Sequence, residues 1–375
     1  MWLQATVFTV TLLVAVIGVP WYGLSSGFHW SVWPVGLVVL WANGFSITAG
    51  YHRLWSHKTY QAHWSVRLFF ALFGAAALQN SILAWASGHR RHHRHVDDID
   101  QDPYTIRRGL WFAHIGWMLR QYPSGAEDFG NVRDLQRDAI VAWQHRHYLP
   151  LAIGMNLAPA LLAGLLLGDV WGHLLVAGFL RLVINHHVTF CINSIAHYWG
   201  RRPYTDDNSA RDNGWVALLT YGEGYHNFHH MFQTDYRNGV RWWQFDPTKW
   251  LIRAASWLGL TWDLKQVPGF RIQQALLAMQ FKRAQRSLAL SEHAEHLREH
   301  LEREYQQFLA YMQEWSELRL QWMDSKRQRF QEAREELQRK WRHTGLHCRL
   351  RELEYAVKMQ RKRLQFLTLQ LAAPC

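Results

Sequence analysis

Cysteine is scarce in this chain. Only Cys191, Cys348 and Cys375 occur among 375 residues. They are too few and too scattered for a disulfide framework, which points to a reducing compartment. Lysine and arginine are missing from residues 1–51. The N-terminal stretch therefore lacks the positive n-region of a secretory leader, and no small-residue cleavage site follows it. No glycine-rich loop of the kind that cradles nucleotide phosphates occurs, and no haem- or flavin-binding module is apparent in the C-terminal region. Between Gly269 and Gly345 there is neither glycine nor proline, so nothing there breaks a helix.

What is present divides into unlike parts. The net charge is +12 and the mean hydropathy lies just below zero. That average combines an apolar, tryptophan-rich N-terminal part with a tail dense in both charge signs. The expected domains are 1–270 and 271–375. Four segments have the roughly 20 apolar residues that cross a bilayer: about 2–20, 29–51, 148–168 and 171–192. A short uncharged connection joins the first pair, and a loop around Gly168 and Asp169 joins the second. Each pair therefore reads as a helical hairpin. Essentially every basic residue sits in the other loops, from Arg53 onward. By the positive-inside rule both termini and the segments between the hairpins are expected in the cytoplasm. Tryptophan is the residue of bilayer interfaces.

Histidine is the outlier. H-R-L-W-S-H runs from His52 to His57, H-R-R-H-H from His89 to His93, N-S-I-A-H from Asn193 to His197, and H-N-F-H-H from His226 to His230. Residues i, i+3 and i+4 share one helix face. The spacing thus gathers His89, His92 and His93, then His226, His229 and His230, and places Asn193 with His197. His52 and His57 do not fit a regular helix, since five residues turn roughly 140° apart at 3.6 residues per turn. They converge only where the helix ends or unwinds. This is more imidazole than one transition ion uses, and it suits a two-metal centre. Imidazole binds iron, zinc, copper and nickel alike, so residue type leaves the metal open. A nucleic-acid patch around H-R-R-H-H-R-H accounts for one cluster but not for four. A zinc store needs fewer ligands, since structural zinc sites take four each. The apolar stretch 64–84 is long enough for a fifth span. A crossing there would put His52 and His89 on opposite faces of the membrane, so an interfacial or bundle-docked helix over about 64–88 is expected instead.

The wording of the boxes resembles the membrane-bound fatty acid desaturases, and within them the acyl-CoA delta-9 (stearoyl-CoA) branch. I-T-A-G-Y-H, H-R-L-W-S-H, the Q-N before the second box, H-R-x-H-H, D-P-Y…R-R-G, N-S-x-A-H, R-R-P-Y-T-D-D-N and G-E-G-Y-H-N-F-H-H carry the likeness, from about residue 30 to about residue 265. The resemblance implies two iron ions held by His52, His57, His89, His92, His93, His197, His226, His229 and His230, with Asn193 a further ligand through water. It implies dioxygen as co-substrate, two electrons from a separate ferredoxin- or cytochrome-type protein with its reductase, and a cis double bond between carbons nine and ten of a saturated fatty acyl-CoA. Asp98 and Asp102 match family positions beside the second box, and Glu223 precedes the third. These three are expected to receive ring N–H groups of ligating histidines.

Breaking an unactivated C–H bond is beyond any side-chain acid or base, so a bound cofactor has to carry that step. The methylenes are chemically alike, so regioselectivity must be geometric. Gln79, Trp85, Thr189 and Phe190 match family positions that line the acyl channel. Leu40 and Gly44, on the face of His52, are expected to set its closed end, and the small Gly44 to leave room for a long chain. Arg107, Arg108, Arg120, Arg201 and Arg202 are available for the phosphates of coenzyme A. His186 lies about 16 Å below His197 at 1.5 Å rise per residue and is expected to hydrogen-bond within the bundle.

The tail departs from the family. Trp315, Trp322, Phe330, Ala333, Leu337 and Trp341 recur at threes and fours. Leu346, Leu350, Leu353, Val357, Gln360, Leu364, Leu367 and Leu371 form a heptad. Long helices in a coiled-coil-like extension are expected, with a hairpin turn near Thr344–Gly345, serving homo-oligomerisation or donor docking. The expected fold is an all-α membrane protein: four transmembrane helices in two hairpins, a cytoplasmic helical cap holding a His-rich dimetal site, and this extension. The lipid bilayer is an expected partner and nucleic acid is not. Two other readings stand beside the desaturase: a membrane di-iron hydroxylase, differing in whether oxygen returns to the carbon radical, and a non-enzymatic metal-binding membrane protein.

Overall fold

The computed structural model describes residues 2–289 and scattered helical positions between 299 and 335. The chain divides into two compact units, Met1–Val267 and Pro268–Cys375.

The first unit is mostly helical. Four helices are long and apolar enough to cross a membrane: α1 (Gln4–Ser25), α2 (Val32–Ser56), α3 (Tyr148–Leu167) and α4 (Val170–Tyr198). This is the build of an integral membrane protein. Asp169 joins the two helix pairs. Held at φ 61°, it caps α4 by accepting from Gly172 N at 2.8 Å. Its carboxylate also accepts from Tyr22 Oη at 2.5 Å and from His29 N at 3.0 Å. The turn of the first pair and the turn of the second are thereby stitched together at one end of the bundle.

The stretch 64–88 is not one helix. Helix α5 (Trp64–Ala75) ends, and α6 (Ile82–Arg94) begins after Leu78 and Asn80 take left-handed conformations and Ser81 caps Ala84 N. The 12 residues of α5 rise about 18 Å at 1.5 Å each, short of the ~30 Å hydrocarbon thickness. Its C-terminal carbonyls are freed inside the bundle, where each must find a donor. Arg181 Nη1 donates to Ala76 O at 3.0 Å, Asn156 Nδ2 to the same oxygen at 3.1 Å, and His186 Nε2 meets Ala77 O at 2.8 Å. A cation at a helix C-terminus is also favoured by the macrodipole. Two polar residues deep in α4 thus serve a broken helix, and His186 is bonded there.

Beyond the long helices the chain builds a cap. Helices α7 (Gly214–Leu219), α8 (His226–Met231) and α9 (Pro247–Trp257) follow α4. Asn213 caps α7 by accepting from Trp215 N, and Asp246 caps α9 by accepting from Lys249 N. A two-residue antiparallel pair, Gln61↔Trp262 and Ala62↔Thr261, ties the segment after the first histidine box to the end of the cap.

The second unit contains α10 (Gly269–Ala289). Phe270 meets Trp315 and Phe281 stacks on Tyr305 at 3.8 Å, a descending register that makes the two segments antiparallel. The heptad 346–371, the turn near Thr344–Gly345 and the repeat positions Trp322 to Trp341 lie outside the described residues.

Candidate metal centre

The first box solves its spacing problem by widening. Over Ser46–Ser56 the end of α2 runs in π-type turns, in which each N–H reaches five residues back. His57 N donates to His52 O at 3.1 Å, so a five-residue interval brings the two rings to 4.9 Å. The helix neither stops between them nor unwinds. Such wide turns are frequent at functional sites.

The nine histidines fall into two groups: His52, His57, His89, His93 and His229, and then His92, His197, His226 and His230. Within each group one nitrogen per ring lies within 4.8 Å of the others. The two H-x2-H-H boxes divide their rings by helical angle. Positions i and i+4 sit about 40° apart around a helix, and i+3 about 60° to the other side. His89 and His93 therefore join the first group while His92 joins the second. His226 and His230 join the second while His229 joins the first. Each box braces both groups, and the His93 and His230 rings stack across the divide at 4.3 Å.

The outer nitrogens fix how the inner ones point. His52 Nδ1 lies 2.9 Å from Glu223 Oε2, and His92 Nδ1 2.9 Å from Asp102 Oδ1. His197 Nδ1 meets Ser209 Oγ at 2.8 Å, and Ser209 Oγ donates to Asp97 Oδ1 at 2.5 Å. A ring donating through Nδ1 presents a bare lone pair at Nε2. Those Nε2 atoms converge: His52 and His93 each lie 3.0 Å from His229, His57 lies 2.7 Å from His89, and His226 lies 3.1 Å from both His197 and His230. His92 Nε2 is buried with no hydrogen-bond partner. Burial, together with neighbouring imidazoles, pushes His57, His89, His93, His229 and His230 well below the usual histidine range, and His226 down to about 3. Neutral imidazole is the ligating form. Lone pairs aimed at each other, an orphaned buried acceptor and rings kept neutral fit two cations.

A buried charge network backs the first group. Burial opposes ionisation of Glu223, but His52 and Arg53 win and hold its carboxyl down at about 2. Arg53, 1% exposed, donates from Nη2 to Glu223 at 2.7 Å and to Asp246 at 3.0 Å, and from Nη1 to Tyr236 O at 2.8 Å. Asn238 Nδ2 donates to the other Glu223 oxygen at 2.7 Å. Arg90 joins the boxes, donating to Ser56 O and Trp55 O at 2.9 Å and bidentately to Asp134.

Not every expected residue arrives. Asp98 accepts from the backbone of Asp100 and Gln101, and its carboxylate makes no hydrogen bond to a ring of the nine histidines. Its neighbour Asp97, at φ 68°, turns to Ser209 instead. Asn193 is half-buried at the end of the helical run Arg181–Asn193, one turn before His197. Trp85 stacks on His89 at 4.9 Å and donates to Gln79 Oε1 at 3.3 Å, and Gln79 donates to Thr189 Oγ1 at 3.0 Å. Phe190 is buried against Phe8, His186 and His114. Gly44 leaves no open room: a Cβ there would clash with the edge of the Tyr221 ring, 2.6 Å from Oη. Arg107, Arg120 and Arg201 are exposed, whereas Arg108 is half-buried and donates to Ile99 O at 2.6 Å. Arg53, Arg90, Asp97, Ser209, Asp246 and Tyr221 were not singled out from the sequence. The signal for two of them was adjacency, because Arg53 follows His52 and Arg90 follows His89.

Residues 28–264 match the sequence profile of the family described as "Fatty acid desaturase". The chain belongs to the fatty acid desaturase family. It is 43% identical over 284 residues to "Acyl-CoA desaturase 1" of Saccharomyces cerevisiae, covering 74% of this chain and 56% of that one. It is 47% identical over 241 residues to "Probable acyl-CoA desaturase" of Schizosaccharomyces pombe, covering 64% and 50%. It is 37% identical over 266 residues to "sn-2 palmitoyl-lipid 9-desaturase" of Nostoc sp., covering 69% and 88%. The chain spans about half the length of the two yeast relatives.

Proposed function

We propose that this protein is a membrane di-iron desaturase that inserts a cis double bond at the delta-9 position of a saturated fatty acyl-CoA. The observation that carries this reading is the interleaved five-and-four set of converging imidazoles, three of them anchored through Nδ1, beside Trp85, Gln79 and Thr189. His52, His57, His89, His93 and His229 would hold one iron. His92, His197, His226 and His230 would hold the other, with Asn193 supplying a water-mediated contact to this smaller set. Two irons bound there, with dioxygen, would supply the oxidising power that side chains lack. The balance is one CH2–CH2 unit, one dioxygen, two electrons and two protons in, and one CH=CH unit and two waters out. The electrons come from a separate donor protein.

The chain's own residues position and insulate. Glu223, Asp102 and the Ser209–Asp97 pair keep ring protons on Nδ1, so Nε2 stays free to bind. Trp85 packs flat against His89, and its tie through Gln79 to Thr189 fixes one wall of an acyl channel. That wall limits which C–C bond lies at the metals. The carrier is assigned to coenzyme A because the yeast relatives bear that name at higher identity than the lipid-acting Nostoc relative. Exposed Arg107, Arg120 and Arg201 suit its phosphates. The four long helices cross the bilayer with both termini and the histidine sets on the cytosolic side, in keeping with the basic residues there.

Expression in a host unable to make monounsaturated fatty acids tests this directly, with double bonds located by mass spectrometry. The expected product is delta-9 monounsaturated acyl chains, lost in His229→Ala and His92→Ala while the protein remains in membranes. Full activity in both variants overturns the metal assignment, and a hydroxylated product replaces desaturation by hydroxylation.

A further inference from the structure

We propose that the Tyr221 side chain is the stop that sets how long an acyl chain this protein accepts, an inference that rests on the desaturase reading above. Leu40 and Gly44 lie on α2 before His52, with Gly44 eight residues away, on the order of 10 Å along the helix axis. From the sequence, the missing side chain at position 44 reads as space. In the structure that space is taken by the ring of Tyr221, a residue 7% exposed and carried by the loop ahead of the third histidine box. The ring lies edge-on to Trp41 at 5.2 Å and tilted against Phe45 at 5.9 Å, and its hydroxyl reaches Leu40 O at 3.4 Å. Residues 40, 41, 44 and 45 form one face of α2, and the ring packs across it, burying Gly44 and leaving Leu40, Trp41 and Phe45 half-buried.

The loop is built to hold it there. Tyr221 stands at φ 55°, a strained conformation for a bulky residue that persists only where surroundings enforce it. Gly222 follows at φ 99°. Tyr221 O accepts from Thr248 Oγ1 at 2.8 Å, and Thr248 Oγ1 lies 2.8 Å from Thr48 Oγ1 of α2. Two residues on, Glu223 is fixed to His52 and Arg53. One short loop therefore sets both the His52 ring and the distance from it to the plug. Length selection comes from the cap, reaching back onto the membrane helix, and not from the helix itself.

The test uses the full-length protein in detergent with a series of saturated acyl-CoAs. Thermal protection on binding and double-bond formation are read separately. Tyr221→Gly removes the ring at a position whose backbone glycine adopts without strain. It is expected to shift both readouts to longer chains, by about tenfold in preference for each methylene admitted. Tyr221→Phe keeps the ring and is expected to keep the wild-type preference. Adding Gly44→Leu to Tyr221→Gly refills the space from the other side and is expected to return the preference toward shorter chains. An unchanged length preference in Tyr221→Gly, with its unliganded melting midpoint retained, overturns the plug while leaving the desaturase reading intact. A wild type that neither binds acyl-CoA nor forms a double bond overturns the reading itself.

Discussion

The two histidine groups differ in how they are anchored. The group of five leans on a charge network, with His52 on Glu223, Glu223 on Arg53 and Arg53 on Asp246, all buried. The group of four has one direct carboxylate, Asp102 on His92, and one hydroxyl relay, Ser209 between His197 and Asp97. The five-membered group is also the more open, since His57 and His93 are half-buried while all four members of the other are buried. The more exposed group has the stronger electrostatic backing, and the enclosed one relies on packing, a single carboxylate and a hydroxyl relay.

Breaking the first anchor should have the largest effect. Glu223→Gln leaves Arg53 with one carboxylate and His52 with none, and breaking a buried pair costs about 3–5 kcal/mol. The expected outcome is a large fall in melting midpoint, with metal lost from the group of five. The midpoint in detergent and the bound metal per chain check it, and a full metal complement at wild-type stability would contradict the asymmetry. Asp102→Asn should be milder, with metal affinity of the second group falling about 10–100-fold in chelator competition. Ser209→Ala should fall below Asp102→Asn in the same assay, because a neutral relay holds His197. Equal losses would mean that the two anchors do not differ.

The smallest effect concerns pH. Asp212 accepts from Phe228 N at 3.0 Å, beside the third box. Part of the residue reaches the surface, but its carboxyl is enclosed, and burial raises it to about 7 against the backbone donors that lower it. The folded state then binds more protons than the unfolded one between the ordinary carboxylate range and about 7. Stability is therefore greatest below that window and declines as pH rises through it. Asp212→Asn should flatten this decline in a melting-midpoint series from pH 5 to 8. A wild-type midpoint that rises over the same range would reverse the sign.

Much of the site could be read from spacing, because helical angle is a local property. The rings of His89, His92, His93, His226, His229 and His230 meet as i, i+3 and i+4 positions suggest. That the angle would deal them to two groups needed both helices in place. The five-residue gap of His52 and His57 hid a widened helix, which no residue type announces. Asp97 replaced Asp98 because a single left-handed residue redirects the turn. The occupied space at Gly44 could not be foreseen, since Tyr221 lies 177 positions away in sequence and reaches it through tertiary folding.

The Asp169 clasp has a bearing on biogenesis. Its acceptor oxygens serve Tyr22 and His29, which precede it by 147 and 140 residues. At about 5–20 residues per second of synthesis, the early turn waits many seconds before its partner leaves the ribosome. During that interval the leading helices must shelter their polar bend in lipid headgroups or in the insertion machinery, and the bundle locks only when the later pair arrives.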